Sequence, residues 1–376
     1  MTSLSNANTS GTTPSGRASE RRVRGLIVMP LAEQRGGAEL ALVDLLRHSA
    51  KGPIEWSVVF FEDGAMVQQA IEFGIAARVV LPGRLRQPHR FMGTVLKLAR
   101  ILRREKFDLV LSWMGKPHLY AGPAALLARV PAFWFQHGRP SPPNFIDRLT
   151  AVIPARGILA CSRISAQAQS RLNASRNVRA VHPGVDLDRF DPGQLPSASD
   201  ARRQLGLPGG VPIVGIIGRL QRWKGIHTVI DAMPAVRKEF PDVHCVVVGG
   251  EHSLEPDYPG SLRRRIEELR LTDCVHMVGQ QRNVPLWTQA MDIVVHASGG
   301  EPFGIVVLEA MALGKPMVAG DFGGPTEIIT DGVDGLLTPY EDAPALSAAI
   351  LRYLRDPTWA AGVGRAARDR AMTFST

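Results

Sequence analysis

The chain has 376 residues, 45% hydrophobic and 21% charged, which suffices for buried cores in about two domains. No apolar run approaches the ~20 residues of a bilayer-crossing helix, and Cys161, Cys245 and Cys274 stand apart without a CxxC pair, as small buried thiols of a reducing compartment do. The formal charge is +9, split unevenly: residues 1–190 carry 26 Lys+Arg against 13 Asp+Glu, and residues 191–376 carry 18 against 22, so the halves face different partners.

Residues 1–20, rich in Ser, Thr, Asn and Gly, read as a disordered tail and not a signal peptide, and cytoplasmic residence follows. Residues 21–185 then alternate strands and helices. A strand over 23–29 leads through a loop to a helix near 38–47. A strand over 56–61 precedes a helix near 65–73, and a short strand covers 78–81. The segment 84–106 is the most basic of the chain. It holds Arg84, Arg86, Arg90, Lys97, Arg100, Arg103, Arg104 and Lys106, with Phe91, Val95, Leu98 and Leu102 at helical spacing. Two readings stand: a surface helix with its apolar face inward, or a helix lying on an anionic membrane. Strands over 107–112, 133–136 and 157–161 follow. This alternation predicts a mostly parallel sheet with helices on both faces.

The Pro-, Gly- and Asp-rich stretch 186–210 reads as a linker. Residues 211–376 begin a second series: strand 213–217, helix 226–239, strand 243–248, helix 260–269, strands 275–278 and 293–296, helix 305–313, strand 316–319 and a last helix near 343–354. The expected fold is therefore α/β, two Rossmann-like doubly wound domains facing each other across a cleft, with ligands beyond the carboxyl ends of the strands.

Four segments have chemistry suited to that cleft. Gly218-Arg219-Leu220-Gln221-Arg222-Trp223-Lys224-Gly225 follows a strand directly. Arg219 offers a planar fork and Lys224 a mobile point charge to a pyrophosphate, although a plain strand–helix turn with incidental basic residues reads equally well. Glu301-Pro302-Phe303-Gly304-Ile305-Val306 runs into a helix carrying Glu309. The amides after Gly304 suit a phosphate, and the two carboxylates suit sugar and ribose hydroxyls. Gly36-Gly37 before a helix either cradles an anion or is a plain turn. His137, after an aromatic strand, is a hydroxyl ligand or a structural histidine; His182, His227 and His296 are structural by default. No His/Asp/Glu cluster has metal-ligand spacing, and no GxSxG elbow occurs.

The combination resembles the retaining glycosyltransferases of family 4, which have the GT-B fold. The resemblance rests on Gly218-Arg219-Leu220 with Lys224-Gly225, on Glu301-x7-Glu309 with Phe303-Gly304 inside it, and on Leu308-Glu309-Ala310-Met311-Ala312-x-Gly314-x-Pro316. Gly323-Gly324-x-x-Glu327-Ile328-Ile329 and Gly332-x-x-Gly335 extend it, and Gly36-Gly37-Ala38-Glu39, His137-Gly138 and Pro183-Gly184-Val185-Asp186 with Phe190 carry it into the first half. It spans residues 23–374. It implies that Arg219, Lys224 and the amides of Ile305 and Val306 hold a donor diphosphate, with Gly36 and Gly37 approaching from the other domain. Glu309 would bind the nucleotide ribose. Glu301, with the backbone of Phe303 and Gly304, would position the donor sugar, and His137 would face that sugar or the acceptor.

The resemblance further implies retention of anomeric configuration, no metal ion and no other cofactor. The partners would be a nucleotide-diphosphate-sugar and a glycan or lipid-linked acceptor at the cytoplasmic membrane face, reached through residues 84–106, with no role for nucleic acid. The favoured chemistry is front-face attack by the acceptor hydroxyl, with a covalent adduct on Glu301 as the rival. A nucleotide-sugar epimerase of the same fold and a non-catalytic binding protein are the alternatives. The chain has His182-Pro183 where the family often has Pro-Asn, and where relatives continue with a helix that crosses back onto the first domain, this chain is expected either to lack that helix, which would loosen domain closure, or to be truncated before it.

Overall fold

The computed structural model describes residues 21–34, 36–173 and 176–374; the expected tail over 1–20 lies outside them. Among the described residues the first domain is a parallel sheet of β1 (Val23–Met29), β2 (Ile54–Phe60), β3 (Ala76–Val79), β4 (Leu109–Trp113), β5 (Ala132–Gln136), β6 (Gly157–Ala160) and β7 (Val178–Ala180), in the order β3-β2-β1-β4-β5-β6-β7. Its helices are α1 (Gly37–His48), α2 (Ala65–Glu72), α3 (Pro88–Arg104), α4 (Gly115–Ala128), α5 (Phe145–Val152) and α6 (Arg163–Leu172).

The second sheet, also parallel, contains β8 (Ile213–Ile217), β9 (His244–Val248), β10 (Val275–Gly279), β11 (Ile293–His296), β12 (Met317–Gly320) and β13 (Leu336–Thr338), in the order β10-β9-β8-β11-β12-β13. Around it lie α7 (Ala198–Leu205), α8 (Ile226–Glu239), α9 (Tyr258–Glu268), α10 (Val284–Ala290), α11 (Ile305–Ala312), α12 (Pro325–Ile328), α13 (Ala343–Arg355) and α14 (Pro357–Met372).

Strand order reverses between β1 and β4 in one sheet and between β8 and β11 in the other, which opens a crevice at each switch point. The Gly218–Gly225 turn leaves β8, and the Glu301 loop leaves β11, its immediate neighbour. Topology therefore brings together two segments about eighty residues apart in sequence. Central strands such as β8 are buried along their whole length, so they read as continuous apolar runs without alternation.

The stretch 186–210, expected to be linker throughout, contains α7. Ser197 caps that helix, and α7 packs on α10 of the second domain. Buried Arg202 fastens it there, donating to Ala290 O at 2.8 Å, to Val211 O at 3.1 Å and to Asp292 Oδ2 at 2.6 Å. The linker is thereby shortened to the residues around Asp186, whose Oδ1 accepts the amides of Asp188 and Arg189. On α3, Val95, Leu98 and Leu102 point into the core, and Phe91 packs on Tyr120 of α4, as the inward reading requires.

Contacts across the cleft come mainly from Glu327, at the start of α12. Its carboxylate accepts the amides of Arg163 and Ile164, at the first turn of α6, at 2.8 and 2.9 Å, and meets His182 Nε2 at 2.9 Å. Arg139 stacks over Phe322 at 4.7 Å. Helix α14 packs on α11, and the Phe374 carbonyl accepts the Val185 amide at 3.0 Å, so the described end of the chain meets the interdomain connection.

Replacing Arg202 by alanine strands one buried and one part-buried carbonyl and removes an ion pair whose carboxylate is partly solvated. The expected loss is about 2 kcal/mol from the second domain, read as a lowered midpoint in urea unfolding.

Candidate active site

Glycines shape the turn after β8. Gly225 has φ +69°, in the left-handed region, and a Cβ there would stand 2.0 Å from Ala297 O. The turn is thus pressed against the end of β11. Held in this way, Lys224 places Nζ 2.6 Å from Glu301 Oε2, with its charge 4.1 Å above the Trp223 ring. His296 Nε2 reaches the same oxygen at 3.2 Å. Burial alone would lift the Glu301 carboxyl, but the Lys224 ammonium and His296 override it and hold the group well below the usual carboxylate range.

Arg219 points the other way. Its guanidinium lies against Gly36 of the first domain: a Cβ on Gly36 would stand 3.6 Å from Nη2. A Cβ on Gly37 would touch Ile305 Cδ1 at 3.4 Å. The two glycines therefore form the contact between the domains at the first turn of α11. No described residue pairs with the Arg219 side chain, although it is only partly exposed. A half-buried cation with no carboxylate in ion-pair contact is a ready anion site, although Glu39 Oε2 borders the same glycine.

Gly304 enters α11 at φ +103°, a conformation that glycine adopts without strain. Helix α11 is apolar almost all round and buried on nearly every side, with Ile305 and Val306 at its open first turn. Phe303 is buried and its ring stacks on His182 at 5.4 Å, in the interdomain connection, while its backbone is pressed against Gly324.

Glu309, one turn further along α11, is buried next to the first domain. Burial lifts its carboxyl to about 7; Arg189 opposes the rise and Asp44 of α1 adds to it. Asp44 is itself pushed up to about 6, chiefly by burial and then by Asp186. His137 lies between Trp113 and Phe135, at ring distances of 4.7 and 4.2 Å. Burial lowers it to about 3, and its Nε2 is buried without a partner among the described residues. Cys161 links this histidine to the acidic loop: its thiol contacts His137 O at 3.5 Å and is raised by burial and, more weakly, by the Glu301 charge.

The structure thus joins Gly36, Gly37, Arg219 and Ile305 in one contact, with Val306 beside them in the same turn of α11, and Lys224, Glu301 and His296 in another. Gly218 connects them as the strand end from which the turn departs; its carbonyl lies so close to Gly249 that a Cβ there would be 1.8 Å away. Sequence reasoning took His296 as structural and passed over Asp44 and Arg189. Only the place of His296 at a strand's carboxyl end signalled it. Among the described residues one group could hold a cation, His48 with Asp186 and Asp188, but Asp186 is already engaged by Arg47 at 3.0 Å.

The raised Glu309 carboxyl predicts a pH effect. Between its ordinary value of 4.5 and about 7, the folded chain keeps a proton that the unfolded chain releases. Stability therefore falls as pH rises through that window, and the penalty is complete above it. Glu309→Gln should gain up to about 3 kcal/mol at pH 8 and almost nothing at pH 4, measured as the difference in Tm between variant and wild type at each pH.

Comparison with known proteins identifies the family to which this fold belongs. A family model described as glycosyl transferases group 1 matches residues 197–370, and one described as glycosyltransferase family 4 matches residues 35–189. A D-inositol 3-phosphate glycosyltransferase of Corynebacterium urealyticum is 32% identical over 202 residues, covering 53% of this chain and 48% of that protein. Another, from Salinispora arenicola, is 29% identical over 382 residues, covering 90% and 84%. The chain spans about half the length of the first curated relatives it matches. Among solved structures, Anabaena Alr3699/HepE in complex with UDP superposes with a TM-score of 0.83 at 28% identity, covering 94% of this chain and 96% of that one. The same protein has been solved with UDP-glucose. Two family models that together span nearly all of both domains, on a fold shared along its whole length, establish that this chain belongs to the family 4 type of GT-B glycosyltransferases.

Proposed function

We propose that the chain moves a sugar from a nucleoside-diphosphate sugar to a hydroxyl of a glycan or lipid-linked acceptor, with retention of configuration and without a metal ion. The observation that supports this best is the unpaired Arg219 guanidinium, set against Gly36 and carried on the same turn as Lys224, which pairs with Glu301. A diphosphate supplies the anion that this cation lacks, and amides at a helix start add donors. The Anabaena protein's UDP and UDP-glucose complexes make a uridine donor the first choice.

In this reading the bond from the sugar C1 to the phosphate oxygen breaks while the acceptor oxygen bonds to C1 on the same face. The hydroxyl proton passes to the leaving phosphate oxygen. Arg219 and Lys224 stabilise the charge growing on the diphosphate, and Glu301 faces the cationic sugar. Glu309 takes the ribose hydroxyls. His137, uncharged near neutrality and with Nε2 unpartnered, accepts or donates to a hydroxyl of the sugar or acceptor.

The acceptor side favours a membrane. No described helix is long and apolar enough to cross one. The outer face of α3 and the loop before it expose Leu81 at 74%, Met92 at 48% and Leu96 at 48%, among exposed Arg84, Arg86, Arg90, Lys97, Arg100, Arg103 and Arg104. Apolar side chains ringed by cations suit insertion at an anionic bilayer surface.

A thermal-shift panel of UDP, GDP, ADP and CMP should single out one nucleotide. Arg219→Ala should weaken its binding by about thirty-fold, the worth of a charge-assisted contact of about 2 kcal/mol; undiminished binding would remove the basis of the assignment. At low salt the protein should sediment with phosphatidylglycerol vesicles and not with phosphatidylcholine vesicles. The double variant Met92→Asp, Leu96→Asp should stay in the supernatant, and a wild type that ignores both vesicles would refute the membrane part.

A further inference from the structure

His296 ends β11, five residues before Glu301, and is only 3% exposed. All of its hydrogen bonding is directed at the loop that carries Glu301: Nε2 lies 3.2 Å from Glu301 Oε2 and 3.3 Å from Ser298 Oγ. A carboxylate only accepts, so the proton of this contact resides on Nε2. Nδ1 is buried and has no partner among the described residues. The ring is thus oriented by the acidic loop and by strand packing, without the usual anchor on its second nitrogen.

One oxygen of Glu301 therefore takes two donors, from Lys224 and His296, while no described residue donates to Oε1. On the donor reading proposed above, Lys224 has a second task, because the diphosphate also needs its charge. When the ammonium turns to phosphate, Glu301 stands in a nearly closed site with its cation drawn away, the circumstance in which a buried carboxylate is least tolerated. His296 cannot leave with it, being fixed on a strand inside the sheet. We propose that His296 is a positioning residue for the glycosyl transfer: it holds Glu301 Oε2 while Lys224 moves to the diphosphate, which keeps Oε1 aimed at the sugar.

The inference rests on the nucleotide-sugar reading, and calorimetric titration separates the two. UDP and UDP-glucose, with GDP and GDP-mannose as the second pair, are titrated into wild type, His296→Leu, His296→Gln and His296→Asn. The wild type should bind one sugar conjugate more tightly than its bare diphosphate. His296→Leu should bind the bare diphosphate within about twofold of wild type and lose about tenfold in the additional affinity conferred by the sugar, as expected for one hydrogen bond to a charged group. Gln presents its amide N–H where Nε2 stood and should restore most of that increment; Asn, one methylene shorter, should not. Equal losses for diphosphate and sugar conjugate, equal behaviour of Gln and Asn, or a wild type that does not distinguish conjugate from diphosphate would each overturn the proposal. The Gln–Asn comparison decides the matter even where the leucine variant fails to fold. Failure of the wild type to bind any of the four ligands would instead overturn the donor reading, and the proposal with it.

Discussion

The site exists only because the two domains meet in one register, and the Glu327 carboxylate is the main fixture of that register. It accepts two consecutive amides at the start of α6, where the unpaired N–H groups and the helix dipole both favour negative charge. His182, in the connection between the domains, adds a third contact. Glu327 is mostly buried, so these bonds are little weakened by water. Set against this fixed point, α1 lies along α11: Gly37 touches Ile305 at one end, and Asp44 influences Glu309 further along. The alignment that puts Arg219 beside Gly36 is thus a consequence of contacts that involve neither residue.

Within that frame the two glutamates of the Glu-x7-Glu spacing are driven in opposite directions. Glu301 has Lys224 and His296 on one oxygen and stays ionised far into acid. Glu309 has burial and a neighbouring carboxyl, with only Arg189 in opposition, and holds a proton close to neutrality. Two like groups pushed apart in this way are equipped for different tasks. A permanent carboxylate suits a site where positive charge develops. A carboxyl that can donate as well as accept suits a pair of neighbouring hydroxyls, one of which gives a hydrogen bond while the other receives one.

Much of this was legible in the sequence because it is local. The Gly218–Gly225 run and the Glu301–Gly304 loop each sit at the end of an apolar strand, and strand ends of a doubly wound sheet face the cleft. Helix α4 was not legible: it is buried on both sides, contains Pro123 internally and shows almost no periodicity. Helix α7 was hidden by the prolines and glycines flanking it, and β7 is three residues long with a central arginine. The part played by His296 depends on the distance from a strand end to a loop that returns over it, and the part played by Glu327 depends on a helix more than 160 residues earlier. No spacing rule encodes either. The Phe91, Val95, Leu98 and Leu102 stripe was visible but ambiguous, since the same period describes a core face and a membrane face. The structure turns that stripe into the core and leaves Met92 and Leu96 exposed on the outer face, which a single stripe does not reveal.

The uneven charge also acquires a structural meaning, though not the one its sign suggests. The half with the large positive excess contributes glycines to the cleft, while the cations of the proposed diphosphate site, Arg219 and Lys224, belong to the half with net negative charge. The densest part of the first half's excess, Arg90, Lys97, Arg100, Arg103 and Arg104 with no acid among them, lies on the exposed outer face of α3. Two electrostatic tasks are therefore separated in space and in physics. Cations on an exposed face act in high dielectric over about a Debye length, so salt weakens them readily. Lys224 and Arg219 act at contact distance in a partly closed cleft, where ions in solution screen them far less. Net charge counted over half a chain responds only to the first kind, and for that reason it pointed to the outer face of α3 and passed over the cleft.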